Sequence, residues 1–352
     1  MYDLFDLLDL NDGPTNYSVA RAVMLGILLP HFADDPELAR QPLAWHITRL
    51  EKAGELHQLQ ILVDKFGRIC GHVIWTHADL KLEANLLKFG PICVGAEQFS
   101  TGTNTWLTDL KINFGLFPDF IQYMRDKELI NTDSVCYFKY KNRRRIAKKL
   151  ALSKLTFMNK PIHVKVGYKR RTEFETNDGL LHAFRINLGN AIRIGEIFSL
   201  MKDEPGYASM PLNAAVARVR FPTSLFQYKI YRDEDNVPCG FITWGWLSGT
   251  QIKNLKLSAW GLNPYQWNEG ANLCAFDCVL KEPSYSKIFD DIDFNLYPNT
   301  SISFCNIDDR SEHNRVVTIP AENRAGLTKN FACADLLNIS HLLNMITRNK
   351  HD

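Results

Sequence analysis

The sequence predicts an α+β protein made of two tandem copies of one domain, each a central, largely antiparallel sheet flanked by helices. Three observations lead there. The chain has 352 residues, more than one hydrophobic core usually serves. Short motifs recur in the same order at a nearly constant spacing. Helical and strand patterns also follow one another in the same order in both halves.

The recurrence is collinear. Cys70-Gly71-His72-Val73-Ile74-Trp75 returns as Cys239-Gly240-Phe241-Ile242-Thr243-Trp244, an offset of 169. Gly26, Pro36 and Pro42 return at the same offset as Gly195, Pro205 and Pro211. Gly102 and Asp109 return as Gly270 and Asp277, one residue closer at 168. Any one match could be chance, but an ordered series at one spacing is the mark of duplication.

Each element follows from its local pattern. Apolar residues at Val23, Ile27 and Leu28 predict a helix over 19–32. Pro42 is a good entry to a second helix, Leu43 to Lys52. A hairpin follows, with Leu59 to Val63 and Ile69 to Trp75 joined by a turn at Lys65-Phe66-Gly67. Thr105 to Ile112 reads as a strand, Pro118 to Lys127 as a helix and Val135 to Tyr140 as a last strand. The second half repeats the order, with helices at Leu188 to Leu200 and Leu212 to Arg220 and a hairpin turning at Asp233-Glu234-Asp235-Asn236. The predicted organisation is a first domain over 1–150, a basic connector over 151–180, a second domain over 181–325 and a C-terminal helix within 326–352. That helix, Ala332 to Arg348, carries Leu336, Leu337, Ile339, Leu342, Leu343 and Ile346 as a stripe suited to packing on the second domain. Trp75 and Trp244 are predicted core residues.

Composition narrows the function classes. Apolar content of 45% with 23% charged residues describes a globular chain. No run of eighteen apolar residues is present, so no membrane span is predicted. The start, Met-Tyr-Asp-Leu-Phe-Asp, is acidic where a secretory signal is basic, which points to a cytoplasmic protein. Eight cysteines lie scattered without zinc-ligand spacing, so neither a metal site nor a disulfide framework is predicted. Charge is uneven despite a net value of +2: from Lys139 to Arg171 there are thirteen Lys or Arg and no Asp or Glu. The stretch is either a solvated connector or a surface that steers an acidic partner. Lys141, Arg143, Arg144 and Arg145 are its candidate binding residues. Nucleic acid is a poor partner for it, because stacking aromatics are not interleaved with the charges.

One set of motifs carries a resemblance. Gly71-x-x-x-Trp75, Leu80-x-x-Glu83, Ser100-Thr101-Gly102, Thr105-Trp106-Leu107-Thr108-Asp109, Phe114-Gly115 and the helix Ile121-Gln122-Tyr123-Met124-Arg125 occur in series. The series resembles the toxin-activating lysine acyltransferases that prepare RTX toxins, over most of 17–145 and more faintly over 185–310. The resemblance implies a GNAT-like fold in each copy. It implies transfer of a fatty acyl group from acyl carrier protein, the donor, to an internal lysine of a protein toxin, with no other cofactor bound. Because such proteins tend to work as dimers, it also implies a monomer that holds an internal pseudo-dimer.

Acyl transfer to lysine sets a protonation problem, since a lysine amine titrates near about 10.4 and is almost wholly protonated at neutral pH. The resembled family places a histidine base between the first two helices and an aspartate on a later strand. The aspartate is matched twice, by Asp109 and Asp277. The histidine is not: gapless alignment puts Leu38 of Asp35-Pro36-Glu37-Leu38 in its place in the first half. The second half has Tyr207 of Glu204-Pro205-Gly206-Tyr207 there. His31, at the end of the first helix, is the substitute candidate in the first half, with His46 behind it; Tyr207 is the candidate in the second. Cys274 and Cys278 flank Asp277 and are read as structural thiols before acyl carriers. Two functions follow from the resemblance: an active protein-lysine acyltransferase with an altered base, or an inactive tandem pseudoenzyme that serves as a binding or regulatory scaffold.

Overall fold

The structure, a computed structural model, describes residues 2–4, 14–63, 69–113, 116–126, 134–141, 144–151, 177–255, 266–280, 291, 300–306 and 315–319. The predicted turn at Lys65-Phe66-Gly67, nearly all of the basic connector and the C-terminal helix Ala332 to Arg348 lie outside the described residues. The chain divides into two compact units, one of Met1–His31, Asp35–Leu38 and Trp45–Ile192 and one of Phe32–Asp34, Ala39–Ala44 and Arg193–Asp352.

The first half opens on a short strand β1 (Tyr2–Asp3) and the helix α1 (Pro14–Ala33). Helix α2 (Leu43–Glu55) starts directly after Pro42. Its buried stripe is Leu43, Ile47, Leu50 and Ala53, the spacing a helix needs to lay one face on a sheet. The sheet is built from β2 (Leu59–Val63), β3 (Ile69–Ala78), β4 (Asn104–Ile112), β5 (Ser134–Lys141) and β6 (Arg144–Ala151). Strand order is β1-β2-β3-β4-β5-β6. All pairs are antiparallel except β4 with β5. A parallel pair needs a crossover, and helix α4 (Phe117–Asp126) lies between those two strands in sequence. Helix α3 (Leu80–Phe89), capped by the Asp79 side chain on the Leu82 N–H, falls between β3 and β4. The core joins Val73 and Trp75 of β3 and Leu107 of β4 to Phe120, Ile121 and Met124 of α4.

The second half repeats this plan. Helices α5 (Asn177–Lys202), α6 (Pro205–Ala208) and α7 (Leu212–Ser224) precede β7 (Tyr228–Arg232) and β8 (Pro238–Leu247). Then come α8 (Gly249–Leu255), β9 (Asn272–Leu280), β10 (Ile302–Asn306) and β11 (Arg315–Ile319). Strand order is β11-β10-β9-β8-β7, and the one parallel pair is again that of the equivalent strands, β9 with β10. Two domains, each a mixed and largely antiparallel sheet with helices, are therefore present. Trp75 and Trp244 are buried, as the sequence suggested.

The halves agree in fine detail. The Trp75 N–H donates to the Gln58 carbonyl at 3.0 Å, and the Trp244 N–H to the Gln227 carbonyl at the same 3.0 Å. A β-carbon on Gly102 would collide with the backbone of Ala78, and one on Gly270 with the backbone of Leu247. Both glycines are fixed by close approach of the chain, which explains a recurrence that composition alone leaves unexplained.

Candidate functional site

Each half carries the same irregularity beside its strand aspartate. On the β3–β4 ladder Ile74 faces Asp109 and Trp75 faces Leu107, so Thr108 is an extra residue. On the β8–β9 ladder Thr243 faces Asp277 and Trp244 faces Ala275, so Phe276 is the extra one. Such a bulge bends the strand and re-aims neighbouring side chains, and bulges recur next to active sites. Both carboxylates are buried, Asp109 at 8% exposure and Asp277 at 2%.

A buried carboxylate needs partners, because loss of water around a charge costs several kcal/mol, roughly, unless hydrogen bonds and counter-charge replace it. In both halves the counter-charge is an arginine from the second helix. Arg49 of α2 is fully buried; its Nη2 donates to Thr108 Oγ1 at 3.2 Å and forms the ion pair with Asp109. Arg218 of α7 donates to Asp277 Oδ1 from Nε at 2.8 Å, pairs with the same oxygen through Nη2 at 2.6 Å, and reaches the Phe276 carbonyl at 3.4 Å. Arg49 and Arg218 are themselves 169 residues apart. They are the residues the motif reading missed, although the same offset that relates Gly26 to Gly195 relates them. The signal was a charge on the flank of a buried helical stripe, where arginine is uncommon unless paired.

The halves part at the position of the resembled histidine. In the second half the single turn α6 follows Glu204 and opens on Pro205. That turn presents the Tyr207 hydroxyl to Asp277, to whose Oδ1 it donates at 2.8 Å. The Thr243 hydroxyl donates to the other oxygen at 2.9 Å and accepts from the Asp277 N–H at 3.2 Å. Burial first, and the Asp277 carboxylate second, push the Tyr207 phenol well above its ordinary value near 10. It therefore stays protonated and acts as a hydrogen-bond donor, not a base. Burial also pushes the Cys278 thiol up to about 12, which keeps it from being a thiolate nucleophile. Cys274 is likewise buried.

In the first half the corresponding turn is capped by Asp35, whose Oδ1 accepts from the N–H groups of Glu37 at 2.8 Å and Leu38 at 3.0 Å. It delivers Leu38, a buried side chain with no proton to exchange. The Leu38 carbonyl accepts from His46 Nε2 at 2.8 Å. His31 lies with its ring centre 5.9 Å from that of His72 on β3. Burial lowers His46 from 6.5 to about 4, and it lowers His72 equally, the Asp109 charge opposing it there. Both rings are neutral at pH 7 and weak as bases.

Of the basic candidates, Arg145 is engaged. It pairs with Glu37 at 3.1 Å, donates to the Lys88 carbonyl at 3.4 Å and lies 5.4 Å from the Phe138 ring centre. Lys141 and Arg144 fall on the paired strands β5 and β6, their side chains outside the described residues; Arg143 lies wholly outside them. Among the described residues no group of three His, Cys, Asp or Glu side chains could hold a metal ion, and no helix is long and apolar enough to cross a membrane.

Residues 187–321 match the model of the RTX toxin acyltransferase family, HlyC. The match runs from within α5 to just past β11 and so contains Tyr207, Arg218, Thr243 and Asp277. It establishes family-level homology to an acyltransferase over that part of the chain. No curated protein matches the chain.

Proposed function

We propose that the second half is a protein-lysine acyltransferase of GNAT-like fold, carrying a fatty acyl group from acyl carrier protein to an internal lysine of a protein toxin, with Tyr207 and Asp277 at the reacting centre. The 2.8 Å bond between them carries the reading. The position that the resemblance assigns to the base reaches the aspartate that the resemblance pairs with it, inside the stretch homologous to an acyltransferase.

The chemistry follows from a donor standing where a base is expected. The lysine nitrogen attacks the thioester carbonyl, the C–N bond forms and the C–S bond breaks. The ammonium first loses a proton to water. The second proton shed by nitrogen ends on the departing sulfur, giving amide and thiol. The Tyr207 phenol keeps its one proton on Asp277, which holds it in place, and its oxygen accepts a hydrogen bond from the lysine amine and aims the nitrogen at the thioester carbon. Because this scheme uses no enzyme base titrating near 7, the rate follows the free amine. It rises about tenfold per pH unit from 6.5 to 8.5, with no plateau in that interval. A plateau near pH 7 in the initial rates would require a base this site does not supply.

A specific observation favours the scaffold reading as second. Asp277 is already engaged by Arg218, Thr243 and Tyr207, an arrangement that also suits a purely structural carboxylate. Intact mass spectrometry of candidate acceptor proteins, after incubation with acyl-loaded carrier protein, separates the two. The enzyme reading expects one acyl increment on a lysine. The scaffold reading expects none from the unmutated chain.

The basic stretch is proposed as the carrier-protein surface, with Lys141, Arg143 and Arg144 contributing more than Arg145, whose guanidinium is already paired with Glu37. Its attraction should fade with salt, since exposed charges are screened over about 8 Å at physiological ionic strength.

A further inference from the structure

Arg218 has two relations to Tyr207 that simple neutralisation of Asp277 does not require. Its Nε and Nη2 bond the same carboxylate oxygen, Oδ1, that accepts the phenol proton. Its guanidinium carbon also lies 5.8 Å from the centre of the Tyr207 ring, within cation–π range. The phenol is thereby approached at its oxygen and at its ring by one side chain. The first half supplies an internal control. Arg49 keeps the ion pair with Asp109, but its guanidinium carbon lies 5.4 Å from the ring centre of Trp45 on its own helix, and Leu38 holds the sequence position that matches Tyr207.

We propose that Arg218 is a positioning residue for Tyr207: by fixing Asp277 Oδ1 and packing along the ring, it sets the direction in which the phenol proton points. The proposal rests on the reading that Tyr207 acts at the reacting centre, yet it predicts a property of the resting protein. With Arg218 in place the hydroxyl has one favoured acceptor and the ring one favoured rotamer. A side chain that only balanced charge would leave both unchanged when replaced by lysine, which keeps the cation but loses the planar fork.

The test uses the full chain with labelled tyrosine, the Tyr207 signals being assigned by their loss in Tyr207→Phe. Hydroxyl proton exchange and ring flipping of Tyr207 are then followed by NMR in Arg218→Lys and Arg218→Met. Positioning predicts that both variants speed hydroxyl exchange at least tenfold. In the transfer assay Arg218→Lys should lower kcat about tenfold with KM within twofold. Exchange within twofold of the parent in a folded Arg218→Lys protein overturns the proposal and leaves Arg218 a counter-ion. If Arg218→Met fails to fold, the lysine variant alone decides. A parent protein silent in acyl transfer would sink the acyltransferase reading, while the exchange measurement would still settle the role of Arg218.

Discussion

The Asp109 and Asp277 sites share one frame and fill it differently. Both keep a bulged strand, a buried aspartate and an arginine sent from the second helix. They differ in what the preceding turn delivers: a buried leucine in the first half, and a tyrosine whose hydroxyl reaches the carboxylate in the second. The surroundings diverge accordingly. His46 and His72 near Asp109 correspond at the 169 offset to Ala215 and Phe241. The ion pair is thus the part common to both halves. The residue that the preceding turn delivers is the part that differs.

The largest expected effect breaks the comparison directly. Asp109→Asn leaves Arg49 buried without its counter-charge and should cost about 3–5 kcal/mol in stability. Because the first half has Leu38, which cannot exchange a proton, at the position of Tyr207, that variant should retain acyl transfer, per folded molecule, within twofold. Chemical denaturation together with initial rates checks both parts. A loss of transfer beyond tenfold in folded Asp109→Asn would mean that the first half takes part in the reaction.

The next prediction concerns acid. His46 and His72 bind protons more weakly in the folded chain, at about 4, than at their ordinary 6.5. Between those values the unfolded chain binds more protons, so stability is fully present above pH 6.5 and falls as pH drops toward 4. Each ring can cost up to about 3 kcal/mol across that window. The second half has Ala215 and Phe241 at these places, so the loss belongs to the first half. Amide exchange at pH 5 and pH 7 should show protection falling in β3 while β8 holds. Equal losses in both strands would remove the histidines as the cause.

The architecture was well marked in the sequence where elements bury one face. The buried stripes of α2 and α7 follow from packing on a sheet, α1 is buried all round over 22–29, and these helices and the two hairpins stand where the pattern put them. Strand β6 was hidden by its charge. Ile146, Ala147, Lys148 and Lys149 are all exposed, so it has no buried alternation, and its lysines read as a connector. Lysine on an edge strand is a common guard against pairing with another chain. Helix α3 was missed for a related reason, since Leu80, Leu87 and Phe89 are exposed and blur its face. At the site, Asp109, Asp277 and Tyr207 were visible through recurrence and alignment. The two arginines obeyed the same spacing, but single charged positions on a helix default to solvent unless the burial of their flank is known.

A smaller effect is expected at the basic stretch. Arg143→Glu with Arg144→Glu should weaken carrier-protein binding several-fold at low salt and little at high salt. Arg145→Ala, which breaks a partly exposed pair, should change stability by no more than about 1 kcal/mol and binding less than the double variant. Calorimetry at two salt concentrations distinguishes them, and salt-independent binding would count against electrostatic docking.

The most direct measurement of the central claim is a paired one: initial rates of acyl transfer, read by intact mass of the acceptor, for Asp277→Asn and Asp109→Asn proteins each shown to be folded. A site that works through Tyr207 and Asp277 predicts a loss of at least a hundredfold in the first and near-parent rates in the second. Equal rates in the two variants, or transfer that survives Asp277→Asn, would contradict it.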